Sequence, residues 1–236
     1  MRWINVSAGL VLGAALSGCG GASTNAALKA NIDQEVAAIH SSGQKYAAPA
    51  SADPLPLAVG QWSRYEMVDD QGRPGFISYS VVGQESDAYW IEIIHESYVS
   101  RVVSLMLVNL GDRKNPNTIE VKRMKQKVDN RSPNEFPASM LGLVKSIWKP
   151  LVDSMVVDWH DKPQDAAEVP AGSFDACYKA QATVAFGGKS WTTDVWSHPA
   201  VPINGAVKSQ GVGQANGMQL VEFGLTGAKS ELSPNG

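Results

Sequence analysis

Two thiols, four imidazoles and a handful of clustered carboxylates are the side chains here with chemistry to offer. The histidines, His40, His95, His160 and His198, show no metal-ligand spacing. His95 opens "HESYV" (His95–Val99), which begins like a zinc-protease helix, but Val99 stands where a second His is required and the surrounding pattern is that of a strand. "AFGGKS" (Ala185–Ser190) carries the end of a phosphate loop. Its first glycine is replaced by Thr183, and the segment lies between two strands, where a hairpin turn is the simpler reading. No Gly-x-Ser-x-Gly elbow occurs. Asp69-Asp70 reads as turn chemistry, and Glu92 and Glu96 as one solvated strand face. No nucleophile, base or metal set survives, so the expectation is a protein that is not an enzyme and takes no cofactor.

Cys19 differs. It follows a positive start, Met1-Arg2, and an apolar run, Val6–Leu16, that is shorter than the roughly 20 residues a spanning helix needs and suits a signal-peptide core. The run ends Leu16-Ser17-Gly18-Cys19. This resembles the bacterial lipobox, in which the cysteine after the cut receives diacylglyceryl and a further acyl chain. A thiol is both nucleophilic and small enough to follow two small residues at the cut. Each buried CH₂ of the chains contributes about 0.8 kcal/mol, so several chains hold a protein stably on a bilayer. Gly20, in place of an inner-membrane retention cue, implies an outer-membrane, periplasm-facing anchor. Residues 1–18 are the expected signal, and 19–56 a lipidated tether, an Ala-rich helix and a Pro/Ala/Ser linker.

The mature chain of 218 residues suffices for one sizeable domain, expected over 57–236. Net charge is -3 for the full sequence, with no basic excess for nucleic acid. Cys177 is left as a lone thiol, expected to be buried and inert.

The elements that would position these residues are mostly strands. Before them, Asn25–His40 places Leu28, Ile32, Val36 and Ile39 at helical spacing, with Asn25 as cap. Val59–Val68, Gly75–Gly83, Ala88–Glu96 and Arg101–Leu110 then read as an antiparallel meander with Gly, Asp and Asn turns. Thr118–Val128 continues it. Its apolar phase slips between Val121 and Met124, the mark of a bulge or an edge. Pro137 opens a helical pattern through Met140, Leu141, Val144, Ile147, Trp148, Leu151 and Met155, which Pro150 should kink or stop. Ser173–Phe186 alternates so that Phe174, Ala176, Tyr178, Ala180, Ala182, Val184 and Phe186 share one face. Lys189–Ser197 runs back after Gly187-Gly188, and Ile203–Gly211 and Met218–Leu225 add two strands.

The fold class these elements imply is mainly β (α+β): a curved antiparallel sheet forming an incomplete barrel, with one or two helices against its concave face. One kinked helix cannot cover the concave side of ten long strands, so either the Asn25–His40 helix or an apolar ligand must help. Trp62, Tyr65, Trp90, Met140, Val144, Trp148, Phe174, Tyr178 and Trp191 are the side chains expected to line such a ligand site. The first alternative is an envelope protein that docks a protein partner along Thr118–Val128, through Lys122, Arg123, Lys125 and Lys127, and the second is an enzyme whose site is assembled from distant residues without a motif.

A specific stretch supports the first reading. "VPAGSFDACYKAQ", then "WTTDVWSHPAVPINGAVK" (Val169–Lys208), runs turn, long strand, Trp-bearing strand, Trp-Ser-x-x-x-Val-Pro-x-x-Gly-x-Val-Lys. It resembles the second half of periplasmic domains of the Lol lipoprotein-carrier type, with Val169, Pro170, Gly172, Phe174, Trp191, Trp196, Ser197, Val201, Pro202, Gly205 and Lys208 in matching places, and "VGQWSRYEM" suits their first strand. The resemblance implies an incomplete barrel curled round helices, with a hollow that accepts acyl chains. It implies a lipid or another lipoprotein as ligand. The charged residues by which such carriers take over cargo have no identifiable counterpart here, and several lipoproteins of this architecture have no known transport role.

Overall fold

The computed structural model describes residues 23–111, 118–142, 159–186 and 189–234, with backbone alone at 183–186 and 189–191. Cys19, most of the helical pattern after Pro137 (Val144 and Trp148 with it), and the Gly187-Gly188 turn lie outside these residues.

One helix, α1 (Ala26–Ala37), precedes twelve strands among the described residues: β1 (Lys45–Tyr46), β2 (Trp62–Val68), β3 (Pro74–Glu85), β4 (Ala88–Glu96), β5 (Arg101–Asn109), β6 (Glu120–Val128), β7 (Asn134–Glu135), β8 (Gln164–Val169), β9 (Gly172–Phe186), β10 (Lys189–Ser197), β11 (Ala206–Gly211) and β12 (Gly217–Gly224). They form one open sheet in the order β1-β9-β10-β11-β12-β2-β3-β4-β5-β6-β7, with β8 beside β9. The expected mainly-β half-barrel is therefore present. It is mixed, because β1 joins β9 in parallel, and it does not close.

Alternation along the meander produces its two faces. Tyr65 pairs with Ile77, which sits opposite His95, and Val81, Ile91, Met106 and Met124 form a second row across four strands. These rows make the inner face. Tyr65, Tyr79, Ile91, Ile93, Met106, Met124, Leu220 and Phe174 are all buried there in one core, which also receives Val201 and Ile203 from the loop before β11. The Tyr65 hydroxyl lies 3.0 Å from both Asn204 Oδ1 and the Ala206 carbonyl, fixing that loop beneath the sheet. The phase slip anticipated in β6 is a bulge: Leu107 faces Arg123 and Val108 faces Val121, leaving Lys122 extra.

The outer face carries its own apolar cluster, Ala88, Trp90, Val103, Leu105 and Leu107, together with Leu232. A strap over residues 226–234 crosses it. The strap begins where Trp62 Nε1 donates to the Thr226 carbonyl and finishes where Lys125 Nζ donates to the carbonyls of Ser233 and Pro234. Between them lies Glu92, 1 % exposed. Its carboxylate accepts from the Ser230 hydroxyl (3.0 Å) and from the backbone N–H groups of Glu231 (2.9 Å) and Leu232 (2.8 Å). Glu92 and Glu96 do share a face, but the strap removes Glu92 from the solvent expected there.

Helix α1 also lies on the outer face. Asn25 Oδ1 accepts from the N–H of Ala27 and Leu28, the cap the sequence predicts. Leu28, Ile32, Val36 and Ile39 are the four residues of Asn25–His40 turned from solvent. The helix is fixed by Glu35 to Arg64 (2.5 Å) and by Asp33 to the Tyr98 hydroxyl. Arg64 shares the outer face with Ser78 and Glu96, so the described helix does not cover the concave side as expected. An ion-pair chain then runs from helix to strap: Glu35, Arg64, Glu96, Arg101, Glu231.

The segment read as a linker is instead stitched into the sheet. Ser42 N donates to the Pro170 carbonyl and Ser173 N to the Gln44 carbonyl, and Tyr46 stacks on Phe174 with ring centroids 4.3 Å apart. Gly172 makes this approach possible. Its φ is +144°, and a Cβ there would stand 2.6 Å from the Gln44 carbonyl oxygen.

Candidate functional site

The nine expected lining residues do not gather at one place. Tyr65 and Phe174 belong to the packed inner core. Trp62 lies on the outer face, across bare Gly224. Trp90 is on that face too, buried in the strap-covered cluster under the Arg123 guanidinium, 5.3 Å from the ring centroid. Tyr178 leaves the main core and stacks on Trp159 (5.9 Å) with Ala52 beside them. Met140 is 41 % exposed. The backbone of Trp191 lies in β10, opposite Val184. Val144 and Trp148 are outside the described residues.

Tyr178 parts from Phe174 because β9 is bulged. Cys177 faces Asp165 while Phe174 faces Ala167, so three residues of β9 match two of β8. Phe174 and Cys177 therefore both enter the main core, which strict alternation forbids, and Tyr178 turns the other way. The single face predicted for Phe174–Phe186 is broken at this point.

Tyr178 thereby stands beside one of the two margins that the sheet leaves unjoined among the described residues. On one margin β6 has β7 along only Lys125 and Gln126. On the other, beyond the β8 partner of Tyr178, the outer edge of β9 has no strand partner among the described residues. The chain leaves the first margin through Phe136, a 3₁₀ turn at Ala138–Met140 and Leu141, and re-enters at the second through Trp159. Phe136 and Leu141 pack only partly against the core. Beside the first margin Met140 is exposed and Phe136 and Leu141 are half-buried, whereas Trp159 and Tyr178 beside the second are already buried against each other. The interior between them is filled by Tyr79, Met106, Phe174 and their neighbours. Trp159, which no periodicity singles out, belongs to this margin. A Cβ at Gly205 would strike its ring, so Gly205, at φ +70°, is the seat on which that indole lies.

The basic strip of β6 is occupied within the chain. Lys122 pairs with Asp87 (2.8 Å), Arg123 with Glu135 (3.0 Å), and Lys125 holds the strap. The Asp69–Gly72 segment is the expected turn, with Asp69 Oδ1 accepting from Gln71 N and Arg73 N (both 2.9 Å). Partial burial would raise the Asp69 carboxyl, but these bonds and Arg73 outweigh it and hold it below the ordinary value.

The buried titratable groups are structural. His198 Nδ1 accepts from Ala200 N (3.1 Å), which places the proton on Nε2 facing the Ala47 carbonyl (3.1 Å), and the ring meets Phe174 edge-on. Burial lowers its pKa, with the Ala47 bond opposing. His95 is lowered by burial as well, against the charge of Glu96. A depressed imidazole means that the unfolded chain binds more protons. The stability it supports is whole above the unfolded value of about 6.5 and is lost as pH falls through the folded value. Urea unfolding from pH 7.5 to 5 should therefore show a declining midpoint, and His198→Asn should flatten that decline. An unchanged slope in the variant would exclude His198 as its source. Burial pushes the Cys177 thiol up to about 12. A disulfide reagent should leave it unmodified in the folded protein and titrate it fully in urea, and rapid native labelling would contradict the described packing.

Among the described residues no group of three or more His, Cys, Asp or Glu could hold a metal ion, and no helix is long and apolar enough to cross a membrane. Comparison with protein-family models, with curated proteins and with solved structures finds no match.

Proposed function

We propose that this is a lipoprotein of the bacterial envelope, held on the outer membrane through Cys19 and facing the periplasm, whose half-barrel binds an apolar ligand without chemical change. The ligand class is an acyl chain, free or carried by a lipid or another lipoprotein. The observation that supports this best is the open sheet. Among the described residues the twelve strands leave two margins unjoined, with Phe136, Leu141 and exposed Met140 beside one and the buried pair Trp159 and Tyr178 beside the other. The apolar area still exposed there, that of Met140 above all, is worth about 25 cal/mol per Å² when covered. The packed interior directs a ligand to the opening and away from the space beneath Tyr65 and Phe174. The resemblance of Val169–Lys208 to the lipoprotein carriers points the same way. The Lys-rich docking alternative draws no support from β6, whose Lys122, Arg123 and Lys125 are engaged within the chain.

The test is the Cys19→Ser protein, expressed in a periplasm, purified without detergent and weighed by native mass spectrometry before and after solvent extraction. Extra mass that resolves to fatty acid or phospholipid is the expected result. A clean protein mass, with no uptake of added lipid, would remove the reading.

A further inference from the structure

The way the described chain begins restricts how the domain can sit on a bilayer. Asn25 is fixed: its N–H donates to the Tyr98 carbonyl (2.7 Å), and its side chain caps α1. Cys19 precedes it by six residues. Six residues, fully extended, reach about 20 Å at ~3.3–3.6 Å each, and the Asn25–Tyr98 bond adds 2.7 Å, so the Tyr98 carbonyl stands within about 23 Å of the Cys19 backbone.

Tyr98 belongs to the β4–β5 turn, Ser97–Ser100, and the pairing register places other turns at the same end. Val68 pairs with Pro74, so the Asp69–Arg73 turn is there, and Val102 pairs with Val128, which brings the turn beginning at Asp129. Asp129 confirms the placement by accepting from Arg101 N (2.9 Å). The β3–β4 turn at Ser86-Asp87 is at the other end of the same strands, about 27 Å away over the length of β4. Carboxylates stand at both ends, Glu85, Asp87 and Glu120 with Lys122 at the far one and Asp69, Asp70 and Asp129 with Arg73 and Arg131 at the near one, so charge does not separate them. The near end offers Tyr98, whose ring lies under the Lys29 ammonium (4.9 Å), and Val99 beside it. An aromatic ring with a polar tip is the side chain that settles at a headgroup boundary.

We infer that the domain stands end-on to the membrane, with the Asp69–Arg73, Ser97–Ser100 and Asp129 turns against the lipid headgroups and the Ser86-Asp87 turn pointing away. The inference rests on the anchor at Cys19 proposed above. It adds the surface that faces the lipid, and it leaves the open margin between β6 and β9 running away from the bilayer, accessible from the side.

The experiment uses the full, acylated protein in vesicles of phosphatidylethanolamine and phosphatidylglycerol that contain spin-labelled headgroups. Single cysteines, Gln71→Cys and Val99→Cys at the near end and Glu85→Cys at the far end, carry a fluorophore, and buried Cys177 does not compete for it. Quenching should be several-fold stronger at 71 and 99 than at 85. Equal quenching at both ends, which means a domain lying on its side, or stronger quenching at 85, overturns the inference while flotation of the protein with the vesicles leaves the anchor standing. If the protein does not float and its first peptide carries no acyl mass, the anchor reading falls, and the orientation with it.

Discussion

Glu92→Ala will lower the unfolding free energy by about 3 kcal/mol, because its carboxylate is the buried anchor at the middle of the strap, where the other polar tie is the part-exposed Arg101–Glu231 pair. Three donors converge on it, two of them backbone N–H groups. Hydrogen bonds to a charged acceptor contribute about 1.5–3 kcal/mol each, and a buried donor left without a partner costs ~1–3 kcal/mol. These do not simply add, since a released strap can rehydrate its own amides. Release then uncovers Trp90, Val103 and Leu105, which Leu232 now shields. Urea unfolding measures the loss, and limited proteolysis within 226–234 reports the release. Glu92→Gln keeps an acceptor and the shape, so its loss should be smaller, about 1–2 kcal/mol. Glu96→Ala is the control: it loses part-exposed ion pairs to Arg64 and Arg101, of the kind worth less than ~1 kcal/mol. An alanine at 92 no more costly than one at 96 would show that the strap is not held by this carboxylate.

Phe174→Ala should cost still more, about 3–5 kcal/mol, the usual range for removing a buried ring. The ring lies in the main core, stacks on Tyr46 and meets His198 edge-on. It is the point where the β8–β9 arm, β1 and the loop after β10 converge. The loss should therefore be local as well as global: hydrogen exchange at Ser42 N and Ser173 N, which tie 42–46 to the arm, should accelerate beyond exchange in β3 to β5. Tyr46→Phe preserves the stack and should be nearly silent. A change below about 1 kcal/mol for Phe174→Ala would mean that the arm is held mainly by its backbone bonds.

The sequence makes much of the meander legible, and the reason is physical. β4 and β10 have the predicted bounds, and the β6 bulge announces itself, because a half-buried strand must alternate and any extra residue disturbs the count. Where an element is too short to have a period, nothing announces it. β1 and β7 are two residues each, and β8, "QDAAEV", holds few residues with strand preference. The β9 bulge is invisible for a subtler reason. Ala176 and Cys177 are both small enough for either face, so unbroken alternation through Phe174 and Tyr178 is equally consistent with the text. The helix shows the opposite limit. Its buried stripe, Leu28 to Ile39, is plain, but which face of the sheet it covers depends on Arg64 and Tyr98, far along the chain. The candidate site inherits these gaps. By type alone the aromatic residues group as one lining, while a strap with a single buried Leu232 takes Trp90 for the outer face, and bare Gly205 seats Trp159 at the margin.

The strand order has a kinetic corollary. β2 to β7 follow one another in space as in sequence, and so do β8 to β12. Each run can grow hairpin by hairpin from neighbours already at hand. The two runs meet along one seam, where residues 217–224 pair with 62–68, and closing a loop of that span is the slow, entropically costly event. A folding chain will thus carry two half-built sheets with a raw strand edge on each until the seam zips, and the time it spends in that condition sets its exposure to aggregation and to proteases.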